Sequence, residues 1–149
     1  MGINNMANLY CAARTNYFVV QNLDGLKASL KLFPEITITP SEKKGMKSKF
    51  TLYVENSDYG GWPGWACHEN GEEVEFDFAI HVMPFVKSGE VVVVMETGAE
   101  KLRYLVGHAT AYIRSGEAIM DTHVSIDDIY AKAAEQFKTP LDRISRAEY

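Results

Sequence analysis

The segment from Glu90 to Arg114 (EVVVVMETGAEKLRYLVGHATAYIR) limits what this chain can fold into more than any other part of it. Val91 to Val94 is an unbroken run of β-branched residues, the pattern of a strand covered on both faces. Leu102 to Ile113 mixes apolar, aromatic and small residues with little charge and reads as a second strand. Between them Thr97-Gly98-Ala99-Glu100-Lys101 reads as a short polar connector. Two β-rich runs joined this closely make a hairpin, and one this apolar belongs at the centre of a sheet. It points to an architecture and not to a reaction.

The 149 residues hold one domain and one sizeable core. Residues 1–7 are expected to be a flexible start, 8–140 a single α+β domain and 141–149 a polar, frayed tail. The first residues lack the basic and apolar regions of a secretory signal, and no apolar run approaches the ~20 residues of a membrane span. A cytoplasmic protein with no membrane partner is the expectation. The net charge of −5 disfavours generic nucleic-acid binding, which needs a broad basic surface. It suits a protein that docks on a basic partner. Cys11 and Cys67 lie far apart with no C-x-x-C spacing, so buried or partly buried thiols are expected rather than a disulfide. Cys67 beside His68 supplies two zinc ligands where about four are needed, so no metal and no cofactor is expected.

Asn8 to Val20 is strand-like at both ends with polar Arg14-Thr15-Asn16 in the middle, which marks either a bulge or a polar surface turned towards something. Asn22 or Asp24 caps a helix carrying Leu23, Leu26, Leu30 and Phe33 on one face, and Pro34 ends it. Glu35 to Thr39 and Phe50 to Val54 alternate with period two around a basic tip bearing Lys43, Lys44, Lys47 and Lys49, and so form a hairpin. Asn56 to Gly71 reads as a Gly-rich loop with Trp62 and Trp65. Glu72 to Lys87 fits both periods, and a helix is favoured because a connector of this length between strands is commonly helical. Gly116 makes a turn and Ala118 to His123 a further short strand. Ser125 then caps a helix with Asp127 and Asp128 in its first turn and an apolar face of Ile126, Ile129, Tyr130, Ala133 and Phe137. The order β-α-β-β-(α)-β-β-α predicts an α+β fold of ferredoxin-like type: a mainly antiparallel sheet with helices on one face, plus an added strand and a C-terminal helix. The other sheet face is left partly open, and a homodimer through the sheet or the Trp loop is expected.

The segments Ala13-Arg14-Thr15-Asn16-Tyr17-Phe18 and Met95-Glu96-Thr97-Gly98-Ala99-Glu100-Lys101-Leu102-Arg103-Tyr104-Leu105, with Gly61-Trp62-Pro63 between them, resemble motifs in uncharacterised small proteins of phages, plasmids and related mobile elements. The resemblance spans Asn8 to Phe137. It implies a mobile-element accessory protein; by analogy with other small phage proteins of this size, non-enzymatic binding to a host protein is expected, inhibition of a bacterial defence system being one such role. It brings no catalytic residues.

Several polar groupings bear on function. His108-Ala109-Thr110-Ala111 and His123-Val124-Ser125-Ile126 resemble the paired motif of two-histidine phosphoesterases, in which one His activates a nucleophile and the other protonates a leaving group. In that family the motifs lie in separate lobes, whereas fifteen positions separate them here, and Ser125 is already explained as a helix cap. Arg14 with Arg103 suits bidentate capture of a phosphate or carboxylate; the structural alternative pairs Arg103 with Glu96 across the hairpin. Trp62 and Trp65 are either interface anchors or caps on an open end of the core. The residues singled out as a ligand- or partner-binding set are Arg14, Thr15, Asn16, Tyr17, Trp62, Trp65, Glu96, Arg103 and Tyr104. A protein partner is the first expectation, aided by acidic Glu69, Glu72, Glu73, Glu75 and Asp77. A nucleotide-signal binder using Arg14, Asn16, Arg103 and Tyr104 is the second, and a phosphoesterase built on His108 and His123 the third.

Overall fold

The computed structural model describes residues 9–46, 48–55, 60–100 and 104–147. The expected flexible start, Lys47, Tyr59, Lys101 and Arg103 lie outside the described residues, as do the side chains of Glu100 and Tyr104. The chain runs β1 (Leu9–Thr15), β2 (Phe18–Val19), α1 (Leu23–Ser29), β3 (Ile36–Pro40), β4 (Lys49–Val54), β5 (Trp65–Cys67), β6 (Glu73–Glu75), α2 (Phe78–His81), β7 (Val91–Glu100), β8 (Tyr104–Ser115), β9 (Ala118–Ser125) and α3 (Asp128–Phe137). The fold is mixed α+β with a mainly antiparallel seven-stranded sheet in the order β2-β4-β1-β7-β8-β9, β3 pairing with the free edge of β4. β5 and β6 form a separate two-stranded ribbon. Among the described residues no helix is long and apolar enough to cross a membrane.

β1 and β2 are two legs of one strand broken by a bulge. Arg14 lies opposite Tyr53 and Phe18 opposite Phe50, so four steps on one strand match three on the other. The bulge is held by its own polar residues. Thr15 Oγ1 accepts from Leu52 N (2.9 Å) and donates to Asn16 O (2.8 Å), while Thr51 Oγ1 donates to Thr15 O (2.9 Å). The Asn16 side chain accepts from Val93 N (2.8 Å) and donates to Val91 O (3.0 Å), extending the ladder to β7 where the backbone has turned away. The polar residues of this strand therefore pair backbone groups that the bulge would leave open, buried ones through Thr15 and Thr51 and exposed ones through Asn16.

Asn22 caps α1 by accepting from Gly25 N (2.9 Å), and a single 3-10 turn, Leu30–Leu32, carries the helix towards Pro34. Leu26, Leu30 and Phe33 are buried against Phe18, Leu52, Val82, Met83, Val86, Val92 and Val94. α1 and α2 thus cover the same face of the sheet, called inner below. Arg114, on β8, locks the α2 side down by donating to Pro84 O (2.6 Å) and Gln21 Oε1 (3.2 Å).

The structure corrects several expectations. Val91–Val94 is covered on one face only: Val92 and Val94 are 0% and 7% exposed, but Val91 is 44% and Met95 55%. Thr97 to Glu100 is strand and not connector, because β1 pairs with it from the other side, Leu9 facing Glu100 and Cys11 facing Gly98. Glu72 to Lys87 divides. Its first part is β6, and the helix starts only at Phe78, where Asp77 Oδ1 accepts from Ala79 N (2.8 Å). α3 forms with the expected cap, Ser125 Oγ accepting from Asp127 N (3.1 Å) and Asp128 Oδ2 from Ser125 N (2.6 Å). None of its side chains is fully buried: Tyr130 and Ala133 are half-covered, while Ile129 and Phe137 are 59% and 73% exposed. The tail does not simply fray: Tyr130 Oη accepts from Ala147 N (2.7 Å) and the Arg146 guanidinium lies 4.8 Å from the Tyr130 ring centre. Cys67 is exposed and Cys11 half-buried, both as free thiols.

Candidate functional site

The inner face continues past the core onto β8 and β9; Tyr112 and Ile119 still pack on the core, and beyond them, towards His108 and Ser125, the described residues become polar. Alternation places His108, Thr110 and Tyr112 on this side of β8 and Asp121, His123 and Ser125 on β9. The two-residue turn at Gly116-Glu117 sets the register, with His108 opposite Ser125 and Thr110 opposite His123. Thr110 Oγ1 and His123 Nδ1 are 2.8 Å apart, and the two imidazole ring centres 5.7 Å. The two His-x-Ser/Thr motifs are therefore antiparallel neighbours on one surface.

Glu96, one strand over, organises the neighbourhood. Its Oε1 accepts from His108 Nε2 (3.1 Å) and its Oε2 from Trp62 N (2.7 Å), while Trp62 Nε1 donates to Met95 O (3.2 Å). The Glu96 side chain is 16% exposed and that of His108 38%, so the pair stands at the edge of solvent. Gly60 makes the approach of this loop possible. It has φ +76°, and a Cβ there would lie 2.0 Å from Cys11 O. Burial raises the Cys11 thiol above its usual range, with the nearby Glu96 charge adding to the effect.

Beside this pair lies a cleft of about 280 Å³, lined by Trp62, Pro63, Glu75, Phe76, Asp77, Phe78, Val94, His108, Thr110 and Tyr112. Its rings pack as a ladder: Trp62 edge-on to Phe78 (4.9 Å), Phe76 edge-on to Phe78 (5.1 Å) and Phe78 stacked with Tyr112 (5.8 Å). No lysine or arginine is among the described residues that line it. Two carboxylates, Glu75 and Asp77, are among its lining residues. Burial pushes the Tyr112 phenol up, and the charges of Asp77 and then Asp121 push it further. Aromatic walls rimmed by carboxylates attract a cation and repel a phosphate. A larger cleft of about 780 Å³ separates α1 from the β5–β6 ribbon and is bordered by Lys31, Cys67, His68, Glu69 and His81. Among the described residues no three His, Cys, Asp or Glu side chains are grouped to hold a metal ion.

Of the residues singled out from sequence, the structure joins Trp62 and Glu96. Arg14, Thr15 and Asn16 belong to the bulge. Arg14 sits opposite Met95 on the outer side, with its Nε donating to Thr15 O (3.4 Å). Tyr17 is half-buried beside the bulge. Trp65 is 63% exposed on β5, on the ribbon rather than in the cleft. Tyr104 begins β8, opposite Glu100. Glu96 pairs with His108, which the hairpin register puts directly across from it; the alternative pairing with Arg103 falls outside the described residues. Phe76, Phe78 and Tyr112 were not in the sequence-based set, and Asp77 entered only among the acidic residues set against a basic partner. The signal for Phe76 and Phe78 was the alternation from Val74 to Phe78, which puts both on one side. Set against known proteins, the chain matches no family model, no curated sequence and no solved structure.

Proposed function

We propose that this chain is a non-enzymatic binding protein whose inner-face cleft receives a lysine or arginine side chain of a partner protein. The observation that carries the reading is the cleft itself: four aromatic rings, two carboxylates and no lining lysine or arginine. Its volume of about 280 Å³ lies below the ~300–1,000 Å³ of ordinary small-molecule sites, which favours one side chain over a whole nucleotide. The acidic run from Glu69 to Asp77 then meets the rest of a basic segment. The mobile-element motifs make a host protein, a defence component among them, the class of partner proposed. A split β-α-β core is part of the same reading. It is supported by the order β7-β1-β4-β3 and by α1 and α2 lying on one face.

The test is a titration of Trp fluorescence with short peptides carrying one arginine or lysine, against neutral analogues. Binding that weakens with salt, and weakens about three- to tenfold in Glu75→Gln and Tyr112→Leu, is the expected result. Basic and neutral peptides that bind alike, or a basic peptide that ignores both substitutions, would refute it.

The register of His108 with Ser125 and Thr110 with His123 supports a second reading, a phosphoesterase. Glu96, Asp77 and Asp121 oppose it by repelling a phosphodiester. Equal hydrolysis of cyclic nucleotides by wild type and His108→Ala removes it.

A further inference from the structure

We infer that α3 docks on the outer face of the β7–β9 sheet of a second copy of this chain, each copy covering the other. Two apolar surfaces lack cover in one molecule. On the sheet, Val91, Met95, Met120 and Val124 project from the side opposite the core; on the helix, Ile129 and Phe137 are exposed. A sheet with one apolar face bare and an amphipathic helix whose Ile129 and Phe137 stand in the open, although the tail packs on its Tyr130, are the two halves of one packed layer.

The helix cannot supply that cover within its own chain. Only Ile126-Asp127 separates β9 from α3, and this link is pinned at both ends. Ile126 N donates to Gly107 O (2.9 Å), Ser125 N to Asp128 Oδ2 (2.6 Å) and Asp127 N to Ser125 Oγ (3.1 Å). The Ile126 side chain rests against Gly107, where a Cβ would meet its Cγ2 at 2.9 Å. A two-residue link held this way does not let the helix turn back across β9 and β8. The ten residues of α3 rise ~15 Å, about the width of three strands spaced ~4.8 Å apart, so the helix of a second copy spans β7 to β9.

The area is sufficient. Nine large apolar side chains on these strands, on the helix and on its flanks are 44–73% exposed. At roughly 100 Å² each they offer about 900 Å² per copy, against the ~800 Å² per partner of a standard stable interface. An exchange in which helix covers sheet on both sides is a closed, isologous arrangement, so it stops at two copies. The cleft at Trp62 and Tyr112 is on the inner face and stays open in this dimer.

Sedimentation equilibrium on the wild-type chain, up to about 100 µM, should give twice the 16.7 kDa chain mass. Met120→Glu on the sheet and Phe137→Glu on the helix should each raise the dissociation constant at least about tenfold, while Glu135→Gln on α3 should not. All three alter exposed side chains, and circular dichroism checks that the fold persists. A wild-type chain that stays monomeric at the highest concentration, including one that instead pairs with a different protein, overturns the inference. So does a dimer that survives both glutamate substitutions.

Discussion

Replacing Thr15 by Val keeps the shape of a buried side chain and deletes only its hydroxyl. That hydroxyl accepts from Leu52 N at 2.9 Å, donates to Asn16 O at 2.8 Å and lies 3.3 Å from Thr51 Oγ1. Thr15 and Thr51 are 3% and 2% exposed, so water does not replace what is lost. Leaving the Leu52 N–H unpaired costs about 1–3 kcal/mol, the lost bond to Asn16 O adds about 1 kcal/mol, and the extra methyl recovers at most about 0.8 kcal/mol. A net loss near 2 kcal/mol follows, which for a chain of this size lowers Tm by roughly 4–8 °C. Thr15→Ser is the informative control: it keeps the hydroxyl, gives up one methyl and should cost about 1 kcal/mol. Urea unfolding followed by circular dichroism measures both. A Thr15→Val protein within about 0.5 kcal/mol of wild type, or no worse than Thr15→Ser, would show that the bulge is not held by this hydroxyl.

Two further outcomes follow from the cleft and its surroundings. The Tyr112 phenol has its pKa raised above 10.0 in the folded chain by burial, then by Asp77 and Asp121. The native state therefore keeps this proton longer than the unfolded one; stability is intact below pH 10 and falls as pH rises towards the folded value, and Tyr112→Phe should flatten that alkaline slope in denaturant unfolding. Cys67 is exposed, whereas the Cys11 thiol is held up by burial and the Glu96 charge, so a thiol reagent at pH 8 should label Cys67 first, with Cys11 reacting only slowly; equal rates would contradict the described surroundings of Cys11.

Period-two alternation carried much of the fold in the sequence. The strands at Glu35 to Thr39 and Phe50 to Val54 lie within one residue of β3 and β4, and Asn22 and Ser125 cap where their side chains suggested. The four valines misled because both sides of β7 are apolar although only one is covered; an uncovered apolar face looks the same in sequence as a buried one. β5 was hidden in the segment read as a loop and β6 in the one read as a helix, because three-residue strands owe their existence to cross-strand pairing, Trp65 with Glu75 and Cys67 with Glu73, rather than to local preference. The meeting of the two histidines was legible. A turn at Gly116 returns β9 along β8, and the thirteen positions from Thr110 to His123 set the two opposite each other. Comparing that spacing with a two-lobed family concealed it. The aromatic cleft was less accessible, since it joins Trp62, Phe78 and Tyr112 from three separate parts of the chain.

The claim on which the rest depends is that recognition happens on the inner face beyond the core. Amide chemical-shift mapping with an arginine-bearing peptide tests it most directly. Shifts gathered at the Trp62 indole N–H, Glu75 to Phe78, Thr110 and Tyr112 are the predicted result. Shifts gathered instead around Val91 and Met120, or around His68 between α1 and β5, would contradict it.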